Sequence, residues 1–169
     1  MPDGRRPSNV RSRGRNEHRN DRLLLFCPAG ESFVIGLVIV SHSAKLAAGV
    51  QELAAQMAGD QVGISQAGGL SDNGEQLGTD AFRILSAIEE VWCKDGVLLL
   101  MDLGSSVMSA ELALEMLPEQ QRQNCLLSNA PLVEGAIVAA LHASLGESLQ
   151  AVNAIAEAAL STPKLSNTG

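Results

Sequence analysis

The chain has 169 residues, enough for one ordinary domain with a real core and hardly for two. Hydrophobic residues make up 46% and aromatic residues 2%, which excludes a disordered chain and argues against a base-stacking nucleic-acid surface. The net charge of −7 is uneven: residues 1–22 hold seven arginines against three acids, and the remainder holds five basic residues and 16 acids. The folded part is therefore acidic, and its natural partner presents a basic face.

Residues 1–32 read as a separate segment. Its Pro, Ser, Arg, Asn and Gly have no periodicity and no face to bury. Two readings stand: an arginine-rich arm for RNA or a membrane surface, or a disordered extension of the kind an upstream start codon adds. The missing periodicity favours the extension. Leu23-Leu24-Leu25-Phe26 is too short for a secretion signal, and Pro28, Gly30 and Glu31 interrupt it. Arg5-Arg6 lacks the hydrophobic stretch of a twin-arginine leader. No run approaches the roughly 18 apolar residues of a membrane span. Cys27, Cys93 and Cys125 are odd in number and have no CxxC spacing, so neither a disulfide framework nor a zinc site is expected. A reducing cytoplasm suits such thiols.

From Phe33 the chain alternates, and residues 33–162 read as one domain. Phe33 to Val40 predicts a strand. Ser43 to Ala58 predicts a helix with Leu46, Val50, Leu53 and Met57 inward. Gln61 to Ser65 is a short strand, and residues 67–78 form a glycine-rich loop. Thr79 then caps a helix whose stripe is Phe82, Leu85, Ile88 and Trp92. Gly96 to Met101 is an unbroken apolar run, as a strand covered on both faces requires. Asp102 to Ser106 turns into a helix with Val107, Ala110, Leu114 and Leu117 inward. Asn124 to Ser128 is a fourth strand. An alanine-rich helix follows Pro131 and runs to about Leu145, and a last helix spans Leu149 to Leu160. The tail, 163–169, reads as flexible. Strand and helix in alternation imply an α/β fold: an open, mainly parallel sheet with helices on both faces.

The chemistry collects at two strand ends. Leu37-Val38-Ile39-Val40 runs into Ser41-His42-Ser43, and the strand from Gly96 runs into Asp102. In the flavodoxin-like strand order 2-1-3-4 those ends are neighbours, and both side chains face one crevice. A carboxylate on one imidazole nitrogen fixes the tautomer and stabilises the charge that develops as the other nitrogen attacks. Asp102 also reads as a plain helix cap. Gly104-Ser105-Ser106 opens a helix, so its backbone N–H groups suit an anion. Gly68-Gly69 supplies a second close-approach backbone. This set suits a phosphoryl group parked on histidine. Glu134 opens a helix, where a carboxylate favours the helix dipole. His142 reads as an ordinary helix-face histidine, and Trp92 as a core anchor.

Four segments carry a resemblance: LVIVSHSAKLAAGVQELA (37–54), AGGLSDNGEQLGTDAFRILSAIE (67–89), VLLLMDLGSSVMSAELALEML (97–117) and APLVEGAIVAA (130–140). The chain resembles the phosphotransferase subunits of bacterial dihydroxyacetone kinase, DhaM, whose domain is similar to the mannose-family IIA component of the sugar phosphotransferase system. Mannose-type domains usually show Gly after the histidine and Trp-Gly-Gly after the aspartate. Ser43 and Leu103-Gly104-Ser105 favour the dihydroxyacetone branch. The resemblance implies that His42 carries a phosphoryl group and that Asp102 pairs with it. It also makes a support to the crevice an equal reading of Glu134 beside the cap. Ser43, Gly68, Gly69, Gly104, Ser105 and Ser106 are expected around the phosphate or the partner.

The implied donor is phospho-HPr, and the implied acceptor is ADP on the subunit DhaL. DhaK holds dihydroxyacetone. A sugar-transport IIA protein and a phospho-regulated binding module are the rival readings. No cofactor or metal is expected on this chain, and no nucleic acid or membrane partner. Longer relatives append HPr-like and enzyme-I-like domains, and a chain ending at Gly169 is expected to take both from other proteins. The alanine-rich helices leave an apolar face uncovered, which implies a homodimer. The polar tail with Pro163 is unsuited to strand exchange, so the dimer is expected to pack through helices.

Overall fold

The computed structural model describes residues 34–71, 75–102 and 104–161. The arginine-rich arm, the tail and Leu103 lie outside the described residues. Four strands form one parallel sheet: β1 (Gly36–Ser41), β2 (Ile64–Gly68), β3 (Val97–Met101) and β4 (Cys125–Ser128), in the order β2-β1-β3-β4. This is the expected 2-1-3-4 order. The chain steps from β1 to β2 on one side and then crosses to β3 on the other. The C-terminal ends of β1 and β3 therefore flank the point where the winding reverses, where open α/β sheets bind ligands. The register pairs Val40 with Met101, so Ser41 and Asp102 sit side by side.

β1 and β3 are buried along their whole length, which is why each reads as a continuous apolar run. Ile35, Leu37, Ile39, Leu98 and Leu100 pack on one sheet face against α1 (Ala44–Ala58), α5 (Leu132–Ser144) and α6 (Leu149–Glu157). Val38, Val40, Val97, Leu99 and Met101 pack on the other against α2 (Ala81–Val91) and α3 (Gly104–Glu115). A one-turn helix, α4 (Glu119–Arg122), follows Pro118.

Two helices present a different face from the one their large residues predict. In α1 the buried residues are Ala47, Val50, Ala54 and Ala58, while Leu46, Leu53 and Met57 are exposed. In α2 they are Ile84, Ala87, Ile88 and Val91; Phe82 is exposed, and Leu85 and Trp92 are only partly covered. The reason is close packing. Alanine lets a helix axis approach the sheet, and a leucine in the same place would hold it off. α3 keeps its expected face, with Ala110, Ala113 and Leu117 buried and Val107 and Leu114 packed beside them.

β1, expected from Phe33, begins at Gly36, and other boundaries moved too. β2 lies three residues later than expected, because residues 59–61 form a 3₁₀ turn. Asp80 caps α2 in place of Thr79, accepting hydrogen bonds from Phe82 and Arg83 N–H. The last helix ends at Glu157 and passes into a 3₁₀ turn, Ala158–Ser161.

Gly68, at the end of β2, lies against the turn between β1 and α1. A Cβ there would sit 2.9 Å from Ala44 Cα and 2.9 Å from Ser41 O, both backbone atoms that cannot rotate away. Gly68→Ala is expected to destabilise the fold by about 1–3 kcal/mol through overpacking. Because this turn carries His42, the substitution should displace that side chain as well. An unchanged denaturation midpoint would contradict this packing role.

Candidate functional site

β1 ends at Ser41, and the next residue, His42, stands at the mouth of the crevice. Ser43 N-caps α1, its Oγ accepting the N–H of Leu46 at 3.3 Å. The strand end and the cap together fix the backbone on both sides of His42. Asp102 follows β3 directly and meets it.

The aspartate is gripped on both oxygens. Its Oδ1 lies 2.9 Å from His42 Nδ1. Its Oδ2 accepts the backbone N–H of His42 and the hydroxyl of Ser41, each at 2.8 Å. A carboxylate can only accept, so Nδ1 carries the proton, and the neutral ring keeps its lone pair on Nε2. Ser105 Oγ is 2.6 Å from Nε2, and against an unprotonated nitrogen its hydroxyl donates. The His42 side chain is 26% exposed and that of Asp102 14%. The pair is thus sheltered on the carboxylate side and open on the Nε2 side. Hydrogen bonds to a carboxylate contribute roughly 1.5–3 kcal/mol each, which suits a group held in one orientation.

Ser105 and Gly104 lie in the exposed first turn of α3, and a Cβ on Gly104 would meet only open space. Ser106 is fully buried beneath them. Gly69, with φ +73°, turns the chain beyond β2 against Ala44. The loop that follows is tied down beside His42: Gly78 N–H donates to His42 O at 2.8 Å, and Thr79 Oγ1 lies 2.8 Å from Ser109 Oγ of α3. Glu134 lies in the first turn of α5. His142 sits in the last turn of α5 with Nδ1 2.9 Å from Glu147 Oε1. Cys93 and Cys125 are free thiols. Burial first, and then the neighbouring Cys93, push Cys125 up to about 11, so it is protonated at neutral pH.

Sequence reasoning missed Ser41. It is fully buried, donates to Asp102 Oδ2 and accepts the Ser43 N–H at 3.1 Å. A polar residue at the end of a four-residue apolar run, beside a chemically active neighbour, was the available signal. Ser41 is a positioning residue: it holds Asp102, which holds the ring. Ser41→Ala is expected to slow phosphorylation of His42 about tenfold, less than loss of the carboxylate itself. Ser41→Thr, which keeps the hydroxyl, should recover much of the rate. A Ser41→Ala protein with wild-type kinetics would remove this role.

Comparisons with known proteins identify the family. Residues 36–153 match the family model EIIA-man, the PTS system fructose IIA component. The phosphoryl donor subunit DhaM of the PEP-dependent dihydroxyacetone kinase of Pantoea ananatis is 43% identical over 128 residues, which cover 75% of this chain and 27% of that protein. The DhaM of Escherichia coli K12 is 44% identical over 120 residues, 70% of this chain and 25% of that protein. The chain thus spans about a quarter of the length of these relatives. The phosphoryl donor subunit DhaM of the PEP-dependent dihydroxyacetone kinase 2 of Listeria innocua is 38% identical over 119 residues, 70% of this chain and 94% of that protein. Among solved structures, EF1359, a protein of unknown function, superposes with a TM-score of 0.65 at 37% identity, covering 74% of this chain and 94% of that one. The chain belongs to the EIIA-man family, and within it to the family of the DhaM proteins.

Proposed function

We propose that this chain is a phosphohistidine carrier of the cytoplasm. It takes a phosphoryl group from phospho-HPr on His42 and passes it to ADP bound on DhaL, which drives phosphorylation of dihydroxyacetone on DhaK. The observation that carries this reading is the oriented ring: Nδ1 on Asp102 at 2.9 Å, with Nε2 facing outward beside Ser105. The DhaM relatives, phosphoryl donor subunits of dihydroxyacetone kinases, support the same role.

The chemistry runs in two displacements. The Nε2 lone pair attacks phosphorus on the docked donor, and an N–P bond forms. The bond from phosphorus to the donor breaks, and its electron pair returns to the donor. Asp102 keeps the proton on Nδ1 and offsets the positive charge that spreads over the His42 ring. Ser105 turns from Nε2 to a phosphoryl oxygen, and the N–H groups at the start of α3, residues 104–106, face the same oxygens. Ser43, Gly68 and Gly69 keep the turn that carries the ring in place. In the second displacement a β-phosphate oxygen of ADP attacks phosphorus. The bond to Nε2 breaks, and the pair returns to the imidazole. The chain brings no cofactor or metal of its own in this scheme; magnesium arrives with the nucleotide.

A reconstituted mixture tests the scheme. PEP, enzyme I, HPr, this chain, ADP-loaded DhaL, DhaK and dihydroxyacetone should yield dihydroxyacetone phosphate, and leaving out this chain should stop it. No product in the complete mixture, with transfer instead to a sugar permease component, would favour the sugar-transport reading.

The carrier acts as a homodimer in this reading. α1 and α5 pack side by side and turn Leu46, Leu53, Met57, Val133, Leu141 and Leu145 outward. Two adjacent helices with small residues inward and large apolar ones outward present a face that a second copy covers. Light scattering at micromolar concentration should give a dimer mass, and Leu53→Lys with Leu141→Lys a monomer. A monomeric wild type, or a doubly substituted chain that stays dimeric, would refute this face.

A further inference from the structure

α3 is apolar on its outer side as well as its inner one. Met108 is 71% exposed, Leu112 52% and Met116, just beyond the helix, 37%. Their spacing of four places them in one row along the helix. Glu111 and Glu115 are exposed beside that row. The inner face is already satisfied by Ala110, Ala113, Val107 and Leu114 against the sheet, so the row is surplus to the core. An apolar row bordered by acids marks a contact surface for another protein.

Its position decides what binds there. The row starts three residues from Ser105, whose hydroxyl lies 2.6 Å from His42 Nε2. A protein seated on α3 is thus beside the open side of the reactive nitrogen. The row also lies on the sheet face opposite α1 and α5, so a dimer built on those helices leaves it free.

We propose that the Met108–Leu112–Met116 row is the docking strip for the phosphoryl donor protein, a partner whose apolar patch is bordered by lysines or arginines. The inference rests on the phosphocarrier reading above and names the surface that reading needs. The apolar row supplies affinity, and Glu111 and Glu115 steer and register the basic rim. Methionine suits a strip that must bind and release at every turnover, because its unbranched side chain repacks at low cost. The charge favours the donor over the acceptor. Both bring the transferred group to Nε2, but an ADP-bearing acceptor adds the nucleotide's own negative charge, which the two glutamates oppose.

The test compares two phosphoryl sources on the dimeric full chain. Phosphoramidate labels His42 without docking a protein, and phospho-HPr has to dock. Met108→Lys combined with Leu112→Lys should raise KM for phospho-HPr about tenfold or more, as loss of central interface contacts does, with kcat nearly kept. Labelling by phosphoramidate should stay within about twofold of wild type, and the dimer mass should hold. Glu111→Lys with Glu115→Lys should also raise KM and flatten its salt dependence. Leu160→Lys, on the C-terminal 3₁₀ turn, is the control and should change nothing. An unchanged KM in the α3 variants would overturn the proposal. So would a fall to monomer mass, which would make the row a self-contact, or an equal loss of phosphoramidate labelling, which would place the damage at His42. A wild-type chain labelled by phosphoramidate but not by phospho-HPr would overturn the carrier reading itself, and the docking strip with it.

Discussion

His42→Ala is expected to abolish the acid-labile phosphate that the chain acquires from PEP, enzyme I and HPr, while His142→Ala leaves it intact. The difference follows from where the two rings stand. His42 is at the switch point of the sheet with Nε2 open to the crevice and Nδ1 held by Asp102. His142 is in the last turn of α5, its Nδ1 held by Glu147 Oε1 at 2.9 Å, and it follows no strand. Among the described residues no thiol takes its place: Cys93 is buried and Cys125 is held protonated. The substitution removes a partly exposed side chain at a strand end, so the fold should survive it. Radiolabelled phosphate measured after gel filtration decides the matter. Label that persists in His42→Ala would remove His42 from the reaction.

Asp102→Asn is expected to cost a hundredfold or more in the rate of phosphoryl transfer, the order lost when a catalytic histidine is held in the wrong tautomer. The amide keeps the shape but has only one accepting atom. Ser41 O–H and His42 N–H already converge on one position at 2.8 Å and would claim the amide oxygen. The NH₂ group then faces Nδ1, and Nδ1 must accept. The ring proton moves to Nε2, which removes the lone pair that attacks. The ring also loses the negative charge that offsets its own as the N–P bond forms. Two donors stay satisfied, so folding stability should change little. Rapid-quench phosphorylation beside a denaturant titration separates the two effects. Wild-type kinetics would reduce Asp102 to a structural cap, and a large fall in stability would make the rate loss a folding defect.

The sheet was legible because its central strands are covered on both faces. Val97 to Met101 and Leu37 to Val40 need no alternation, and their apolar runs stand out. The parallel sheet follows once strand and helix alternate with short links, and the order 2-1-3-4 is the one flavodoxin-like folds share. Helix faces were harder to read. Large side chains mark the inward face only where the helix stands away from the sheet. α1 instead packs through Ala47, Ala54 and Ala58, so its leucines point elsewhere. Hydrophobicity alone cannot separate a residue that fills the core from one that waits for a partner. That ambiguity hid two surfaces, the α1/α5 face and the α3 row. β2 was misplaced because it is an edge strand: Ser65 spends its hydroxyl on Glu90 at 2.7 Å, and the strand carries no long apolar run.

The His42–Asp102 pair was legible because both residues end strands that the topology makes neighbours. Ser41 was not, since a strand-end serine in sequence has no visible partner; the carboxylate that gives it a role is 61 residues away. Ser105 was expected for its backbone N–H, while its hydroxyl is what meets Nε2, a contact set by the trajectory of α3.

In the proposed cycle the group on His42 is in transit to a nucleotide. The chain phosphorylated on His42 with radiolabelled phosphate, freed of PEP, enzyme I and HPr, and mixed in a rapid-quench apparatus with ADP-loaded DhaL tests it in a single turnover. Label should leave the chain and appear as labelled ATP in equal amount, and the Asp102→Asn chain, loaded to the same level, should do so far more slowly. Label that stays on His42, or leaves only as inorganic phosphate at the rate seen without DhaL, would contradict it.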